Sequence, residues 1–530
     1  MDPAEDVTVL SRLRAIRTAE ERGDSRVQRA LAGATVFITG GTGFLGKQLI
    51  EKLFRSCRDI KKVYLLSRDK KGVAMEDRLK AVLQDPVFDS VRAVNPGFEG
   101  RLVPVAGDVQ QLRLGLSDDD WNMLAEEVNI IYHAAATVRF EEPIKLAILT
   151  NVRGTREMIE LAKNTKNLRA FVHVSTAFTN CKKIEVFEKF YPSPVPAQTI
   201  IEFVETVDES RLDAITPKLL GDFPNTYSFS KAIAEDAVRT LAADLPACVI
   251  RPAIVLPSAC EPAPGWVDVG NVFGPSGLLL GFGLGLAHTM LVDPEARNEM
   301  VPVDYVNNLT IAATYDTVRR YENGDKDTRI YTLSNIRNMV NWKILKSVLI
   351  SEGRQLLSPQ TMWYCGSVEA TNRYSYFFLL LFLHFIPAVL ADVVFKVTGS
   401  SFRLTQIYTK MYKLQTTLRY FHVSKFLFHD DHTMELFNSL SDTDKKIFFF
   451  DMAELNFYVF IRYWWLGIRK YILKDGLKGT EEAVNRQKWF RIASYVLFAL
   501  YAYGIFKLGV FLLSVLSVGL SFVCRNLSQC

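Results

Sequence analysis

"ATVFITGGTGFLGKQLIEKLFRS", residues 34–56, places a glycine-rich turn between a short apolar run and a segment with helical periodicity. Thr35–Ile38 predict a buried strand, and the apolar residues after the turn recur every three or four positions, which predicts a helix. Three glycines let the chain turn tightly, let backbone N–H groups approach a pyrophosphate, and let the helix pack on the strand. The pattern predicts a dinucleotide-binding turn, with a purely structural turn as the alternative. The turn residues are Thr39, Gly40, Gly43, Phe44, Leu45 and Gly46.

The next apolar run, "KKVYLLSRD" at 61–69, predicts a second strand that ends at Ser67 and Arg68. An Asp or Glu at this point would bind the ribose 2′-hydroxyl of NAD, whereas a guanidinium suits the 2′-phosphate of NADP. Ser67 and Arg68 therefore predict NADP as the cofactor. The alternative is that Arg68 is an ordinary solvated charge.

Strand and helix patterns continue to alternate. "LVPVAGDV" (102–109), "VNIIYHAAA" (128–136) and "LRAFVHVST" (168–176) predict strands, and "TNVRGTREMIELAKN" (150–164) predicts a helix that begins near Asn151. This alternation predicts an α/β fold with a doubly wound parallel sheet. Cofactor contacts are expected at Asp108, near the adenine, and at Val109, Ala134, Ala135, Asn151 and Pro252.

"YSFSK", residues 227–231, spaces a phenol and an ammonium four residues apart on a predicted helix. This spacing puts Tyr227 and Lys231 on one helix face. Lys231 can bind the nicotinamide ribose, and its charge is expected to lower the phenol pKa. Tyr227 can then protonate the oxyanion that forms when hydride adds to a carbonyl. Ser175 and Thr176, at the end of a predicted strand, are the candidates to hold that oxygen.

From 35 to 260 the chain resembles the extended short-chain dehydrogenases/reductases, whose catalytic residues are Ser or Thr, Tyr and Lys; "IRPAIV" at 250–255 is also similar. Comparison with relatives favours Thr176 over Ser175. Other stretches are similar to fatty acyl-CoA reductases: "HVSTAFTNC" (173–181), "EPAPGWVD" (261–268), "GPSGLLLGFGLG" (274–285), "VPVDYVNN" (301–308) and the stretch 439–475.

The resemblance implies reduction of a long-chain acyl-CoA to a primary alcohol, through an aldehyde, with release of coenzyme A and use of two NADPH. The alcohol would serve as a precursor of waxes, ether lipids or cuticle lipids. Two alternatives stay open at this point. One is a membrane-attached 3β-hydroxysteroid dehydrogenase, and the other is an inactive regulator that kept the dinucleotide fold.

Composition excludes some partners. The net charge of +5 over 530 residues is too small for a nucleic-acid-binding protein. Seven scattered cysteines without a C-x-x-C pair indicate reduced thiols, and no metal site is expected. "HDDH" at 429–432 is interpreted as a solvated helix start. The oligomeric state is not encoded in any recognisable pattern.

Two long apolar stretches predict contact with the membrane or with a lipid substrate. Residues 374–395 are expected to dip into the membrane or to line an acyl tunnel, with a true span or a buried core helix as alternatives. Residues 492–524 contain one charge, Lys507, and predict a single span or a tight hairpin. Arg486, Lys488 and Arg491 before this stretch place that side in the cytosol. The endoplasmic reticulum membrane is expected, and the peroxisomal membrane is the alternative.

These patterns divide the chain into four parts: a polar lead-in (1–32), an NADP-binding Rossmann domain with a substrate-binding subdomain (33–355), a mostly helical C-terminal domain (356–485) and a membrane anchor (486–530).

Overall fold

A computed structural model describes residues 3–68, 74–272, 274–351 and 353–527. Its centre is a sheet of seven parallel strands in the order β3-β2-β1-β4-β5-β6-β7. The strands are β1 (Thr35–Thr39), β2 (Lys62–Ser67), β3 (Leu102–Ala106), β4 (Ile130–His133), β5 (Ala170–Val174), β6 (Ala247–Pro252) and β7 (Arg329–Leu333). The order reverses between β1 and β4, and open α/β sheets bind ligands beside such a point. The predicted doubly wound sheet is confirmed.

Helices cover both faces of the sheet, which explains why its strands are nearly continuous apolar runs. Phe44–Ser56 and Val303–Glu322 pack on one face, where Leu53, Phe54 and Leu309 are buried. Asp118–Glu127, Gly154–Asn164 and Thr226–Leu241 pack on the other face. The remaining helices of this part are Pro3–Glu21, Arg26–Leu31, Met75–Leu83, Asp89–Val94, Ile144–Ile148, Ala197–Thr206, Glu209–Leu220, Pro275–Gly283 and Trp342–Ser351.

Three pairs of short parallel strands lie outside the main sheet. They join Ile254–Leu256 to Met300–Pro302, Thr289–Leu291 to Val368–Ala370, and Glu185–Val186 to Leu427–Phe428. The second and third pairs tie the Rossmann part to the C-terminal part, because each combines a strand from one with a strand from the other.

The C-terminal part is mostly helical, as predicted. Its helices are Arg373–Leu380, Ile386–Val397, Leu404–His422, Asp431–Ser439, Asp442–Ile447, Phe457–Gly467 and Thr480–Leu527. It packs closely on the Rossmann part where Gly467 meets Gly265: a Cβ added to Gly467 would lie 1.8 Å from the carbonyl oxygen of Gly265. Only glycine allows two backbones to approach this closely.

Two helices are long and apolar enough to cross a bilayer by length and composition. The most apolar 18-residue window of Arg373–Val397 has a mean hydropathy of 2.4, and a π turn at Leu381–Phe385 interrupts the regular winding of this segment. The most apolar 18-residue window of Thr480–Ser517 has a mean hydropathy of 2.0. This segment belongs to a continuous helix of 48 residues, Thr480–Leu527, with a length of about 72 Å. Of the two arrangements considered for 492–524, the structure thus contains the uninterrupted helix.

The start of this long helix is bonded to the segment 359–365. Arg486 donates to the carbonyl oxygens of Pro359 and Thr361 at 2.6 and 2.9 Å. The side chain of Gln487 donates to the Trp363 carbonyl at 2.9 Å and accepts from the Cys365 N–H at 3.0 Å. The helix is therefore fixed to the protein body before its apolar part begins.

Candidate active site

The glycine turn after β1 forms as the sequence predicts. Gly40 has φ +75°, and a Cβ there would lie 2.6 Å from the backbone nitrogen of Ala135, at the end of β4. A Cβ on Gly46 would lie 2.3 Å from the Gly40 carbonyl oxygen, so this glycine lets the helix Phe44–Ser56 pack on the turn. At Gly43, the N-cap of this helix, a Cβ would meet only an ordinary contact at 3.4 Å. Gly43 therefore leaves the helix N-terminus open to a ligand.

The side chains around the turn mostly hold it in shape. The Thr39 hydroxyl lies 2.8 Å from His133 Nδ1 and accepts from the Ala135 N–H at 3.3 Å. The ring of Phe44 stacks on Trp266 with centroids 5.2 Å apart. Burial and the nearby Lys231 lower the pKa of His133 to about 3, so this imidazole is neutral. Thr39, Ala134 and Ala135 therefore form a fixed floor beside the glycine turn.

Ser67 and Arg68 lie at the carboxyl end of the sheet, as expected. Ser67 pairs with Ala106 of β3 and is buried, whereas Arg68 directly after it is exposed. In the chain segments that the structure describes, Arg68 forms no ion pair, so its guanidinium is free to meet an anion. Beyond β3, Asp108 accepts a hydrogen bond from the Gln110 N–H at 3.0 Å. The adjoining Val109 is buried.

Asn151 does not begin a helix. The helix starts at Ile144, and Asn151 lies inside it, in a π turn at Leu149–Arg153. The expected start near Asn151 is therefore wrong, because the apolar residues of the preceding turn, Ile144 and Ile148, pack in a separate core cluster.

The amide of Asn151 is fully used inside the protein. It accepts from the Thr137 N–H at 2.9 Å and donates to the Thr137 carbonyl at 3.1 Å and to Ser230 Oγ at 2.9 Å. Ser230 lies on the helix that carries Tyr227 and Lys231. Asn151 thus fixes the position of that helix relative to the loop after β4.

Tyr227 and Lys231 lie in the first turns of the helix Thr226–Leu241, which Asn225 caps by accepting from the Ser228 N–H. Lys231 is buried, and its ammonium donates to the Val174 carbonyl at the end of β5, at 2.7 Å. The ring of Tyr227 stacks on Phe140, with centroids 5.9 Å apart and an interplanar angle of 24°. The sequence places no special signal on Phe140, and its role was not predicted.

The two candidate hydroxyls after β5 have different partners. Ser175 Oγ donates to Glu235 Oε1 at 2.6 Å, and Glu235 also accepts two hydrogen bonds from Arg251 at 2.9 and 2.6 Å. Thr176 instead donates to the Pro252 carbonyl at 3.4 Å and accepts from the Phe178 N–H at 3.3 Å, and it lies close enough to the Tyr227 phenol to lower the pKa of that phenol. The structure therefore turns Thr176 towards Tyr227 and Ser175 into a buried ionic network.

Glu235 was missed by the sequence analysis, although a signal existed. It follows Lys231 by four residues and Tyr227 by eight, so all three share one helix face. Its charge acts on Lys231 and partly offsets the effect of burial there.

Burial dominates the protonation of the Tyr–Lys pair. Burial lowers the pKa of Lys231 to about 8 and raises the pKa of Tyr227 to about 12, with the Thr176 hydrogen bond lowering the latter only in part. The expected lowering of the Tyr227 pKa by Lys231 is therefore wrong for this structure. The phenol is protonated at neutral pH, which is the form that can donate a proton.

Cys181, six residues after Ser175, is not poised to act as a nucleophile. Cys181 is buried, and burial raises its thiol pKa to about 11, so the reactive thiolate is not populated at neutral pH. Five cysteines whose side chains the structure describes are free thiols, as predicted: Cys57, Cys181, Cys248, Cys260 and Cys365. Within the described ranges, no group of three or more His, Cys, Asp or Glu side chains is placed to hold a metal.

An apolar region adjoins the phenol. Phe140 contacts Phe421 at 5.2 Å between centroids, and Phe421 contacts Phe178 at 5.1 Å. Phe178 and Phe421 line a small cavity of about 40 Å³, together with leucines of the helix Pro275–Gly283. The helical C-terminal part thus supplies apolar surface directly beside the residues at the end of β5.

Comparisons with known proteins show which family the chain is similar to. A family model described as male sterility protein matches residues 38–310, and a second one with the same description matches residues 383–475. Fatty acyl-CoA reductase wat of Drosophila melanogaster is 35% identical over 92% of this chain and 95% of its own length. Human fatty acyl-CoA reductase 1 is 36% identical over 85% of this chain and 87% of its own length.

Solved structures share the fold. The terminal R domain of the myxalamid PKS-NRPS pathway superposes with a TM-score of 0.56 at 20% identity, covering 86% of this chain and 97% of that domain. The reductase domain of a non-ribosomal peptide synthetase from Mycobacterium tuberculosis gives 0.52 at 19% identity, covering 88% and 96%.

The parallel sheet, its glycine turn and the family match define a Rossmann-type domain that binds a nicotinamide dinucleotide. The chain belongs to the fatty acyl-CoA reductase family, as its resemblance implied. This membership sets aside the hydroxysteroid dehydrogenase alternative.

Proposed function

We propose that the protein reduces long-chain acyl-CoA to the primary alcohol with NADPH, releasing coenzyme A. The single observation that carries this proposal is the position of the protonated Tyr227 phenol. It lies between Thr176 and Phe140. Lys231, on the same helix, lies close enough to His133 to lower the pKa of that imidazole, and His133 contacts Thr39 at the start of the glycine turn. A carbonyl attached to a long hydrocarbon can be held there by its oxygen and by its chain.

The cofactor fits the residues present. The open N-terminus at Gly43 suits a pyrophosphate, and the close approach of Gly40 to Ala135 shapes the floor of the cleft. When bound, NADPH supplies hydride to the carbonyl carbon. The exposed Arg68 is assigned to the 2′-phosphate, because a guanidinium binds phosphate through paired hydrogen bonds.

Each residue then has a defined task. Thr176 donates to the carbonyl oxygen and orients it, as an oxyanion-hole donor does. Tyr227 protonates the oxyanion as negative charge develops on it. Lys231, held by the Val174 carbonyl, binds the nicotinamide ribose and places a positive charge beside the phenol. Ser175, Glu235 and Asn151 position these groups without contacting the substrate.

The reaction consists of two successive reductions. In the first, hydride and a proton convert the thioester to a hemithioacetal, whose C–S bond breaks to give the aldehyde and the free thiol of coenzyme A. In the second, hydride and a proton convert the aldehyde to the alcohol. Two NADPH are oxidised for each alcohol that forms, and no covalent enzyme intermediate is required because the thiolate is a good leaving group.

The proposal includes membrane attachment through the helix Thr480–Leu527. The apolar part of this helix is longer than the ~20 residues that span a bilayer. Arg486, Lys488 and Arg491 lie in the same helix just before that apolar part. These cations favour the cytosolic side for the reductase part. We assign the endoplasmic reticulum membrane, with the peroxisomal membrane as the alternative.

The test is a product assay with the full-length protein in phosphatidylcholine nanodiscs, supplied with palmitoyl-CoA and NADPH. Gas chromatography should detect hexadecanol, with two NADPH consumed per alcohol and an equal amount of free thiol. Hexadecanal as the only product would reject the second reduction. No acyl-CoA-dependent NADPH oxidation, with cofactor binding intact, would support the inactive regulator instead.

A further inference from the structure

A large chamber lies between the two apolar helices and has no part in the chemistry described above. Its volume is about 580 Å³, within the roughly 300–1,000 Å³ of ligand-binding pockets. Phe382 and Pro387 of one apolar helix line it, as do Ser494 and Tyr501 of the other. Tyr408, from the helix Leu404–His422, closes a third side.

The apolar walls of this chamber carry polar atoms that lack partners. Ser494 is 5% exposed, and its Oγ forms no hydrogen bond with any described residue. The Tyr501 hydroxyl and Arg354 Nε also form no hydrogen bond with any described residue. Ser494 and Tyr501 are seven residues apart, so they lie on one helix face. Buried polar groups are normally paired, which indicates a ligand with an oxygen atom.

The chamber is in series with the candidate active site. It shares Arg354, Gly366 and Ser367 with an apolar cavity of about 90 Å³. That cavity shares Leu279, Phe282 and Trp342 with the small cavity lined by Phe178 and Phe421. Since Phe421 contacts Phe140, which stacks on Tyr227, a row of cavities with shared lining residues runs from the phenol to the two helices.

The walls restrict what the chamber can bind. Arg354 is the only charged residue among its described lining residues, so the polyphosphate of coenzyme A would be poorly neutralised there. A hydrocarbon chain with a small neutral oxygen group matches both the aromatic walls and the unpartnered hydroxyls. A lone hydrocarbon would leave those hydroxyls unsatisfied.

We propose that this chamber binds the long-chain primary alcohol and is the port through which it passes sideways into the bilayer. The hydroxyls of Ser494 and Tyr501 would bind the hydroxyl of the alcohol. The proposal rests on the proposed function for the source of the alcohol. Coenzyme A and the alcohol would then leave by different routes, one to water and the other to lipid.

The test uses full-length protein in phosphatidylcholine nanodiscs and a hexadecanol analogue with a photoreactive diazirine in its chain. Neither NADPH nor acyl-CoA is added, so the result does not depend on catalysis. Labelling should map to the peptide that contains Ser494 and Tyr501, and unlabelled hexadecanol should compete. In S494V/Y501F, labelling should fall by about three- to tenfold per lost hydrogen bond.

Ser514→Val is the matched control, because Ser514 lies in the same helix and its hydroxyl is already bonded to the Phe511 carbonyl. Its labelling should equal that of the wild type. Equal competition by hexadecane would overturn the role of the hydroxyls. Equal competition by phosphatidic acid would assign the chamber to a phospholipid instead.

A chamber-filling variant, Ala391→Trp, gives a second readout. The maximal rate with palmitoyl-CoA should fall several-fold while cofactor binding is retained, because the alcohol loses its exit. Unchanged labelling in S494V/Y501F with normal reductase activity would reject the chamber alone. Normal labelling without any reductase activity in the wild type would reject the proposed function alone.

Discussion

Ser175 donates a 2.6 Å hydrogen bond to Glu235, one helical turn beyond Lys231. Glu235 also accepts from Arg251, which is fully buried, so the serine hydroxyl belongs to a buried ionic network. The neighbouring Thr176 is left as the hydroxyl that faces Tyr227. Two adjacent hydroxyls that look equivalent in the sequence therefore have different partners: one joins a buried ionic network, and the other faces Tyr227, the proposed proton donor.

The first prediction separates these two hydroxyls. Thr176→Val should lower kcat by about 10²–10³, the usual loss for one oxyanion-hole donor. Ser175→Ala should instead lower the free energy of unfolding by about 1–3 kcal/mol, because Glu235 loses a partner inside the core. Steady-state kinetics and thermal unfolding of both variants check this. The reverse pattern would assign the catalytic role to Ser175.

The second prediction concerns the proton donor. Tyr227→Phe should reduce acyl-CoA turnover by about 10²–10⁴, because the phenol is the general acid, while NADPH binding is retained. Tyr321→Phe is the matched control, since Tyr321 bonds the Asp244 carbonyl at the surface. It should behave as the wild type. Equal alcohol yield from both variants would remove Tyr227 from the mechanism.

The third prediction is a pH profile. The pKa of Lys231 is lowered to about 8, so kcat/KM should be level below pH 8 and decline above it as the ammonium is lost. Tyr227, with its pKa raised to about 12, should add no second limb between pH 6 and 10. In Lys231→Arg this limb should disappear, because a guanidinium does not titrate there. A limb that stays in place would belong to another group.

The same lysine has an opposite effect on stability. Its folded pKa of about 8 lies below its ordinary value of 10.5, so between these values the unfolded chain binds more protons. The contribution of Lys231 to the free energy of unfolding therefore rises with pH across this window. Comparing urea unfolding of the wild type and Lys231→Met at pH 7.5 and pH 10 measures it. Loss of activity above pH 8 should thus not be accompanied by a loss of stability from this group.

The fourth prediction concerns cofactor choice. Arg68→Ala should raise KM for NADPH by about tenfold or more, because a charge-assisted contact of about 1.5–3 kcal/mol is lost, and should leave KM for NADH unchanged. Arg58→Ala is a suitable control, because the Arg58 side chain donates to the Arg55 carbonyl, near the end of the helix Phe44–Ser56. Equal effects on the two cofactors would show that Arg68 does not contact the 2′-phosphate.

The fifth prediction tests the contact between the two parts of the chain. Gly467→Ala places a methyl group 1.8 Å from the Gly265 carbonyl oxygen, so the backbones must separate. The free energy of unfolding should fall by about 1–3 kcal/mol, as in other overpacked sites. Gly97→Ala, with nothing within 4 Å of the added carbon, should change it little. Equal melting temperatures for both variants would contradict this close contact.

Local patterns were enough to predict the Rossmann part. The strand-turn-helix signal around Gly40 and the spacing of Tyr227 and Lys231 depend on contacts within one element or between neighbours. The start of the helix at Ile144 was not predictable in this way, because a π turn carries the helix through Asn151.

Other features depend on residues far apart in the chain. Phe140 stacks on Tyr227, and Gly467 meets Gly265, only because the folded chain brings them together. The Tyr227 pKa was mispredicted for a related reason. The charge of Lys231 is visible in the sequence, but the burial that raises the pKa of Tyr227 is not.

The bonds that fix Arg486 and Gln487 to the segment 359–365 make the last helix part of the enzyme body, not a detachable tether. Truncation before Thr480 is the obvious way to seek a water-soluble form. It would remove the four hydrogen bonds to the segment 359–365 and expose the apolar residues of the chamber to solvent. Biochemistry on this reductase should therefore begin with detergent or lipid and an intact C-terminus.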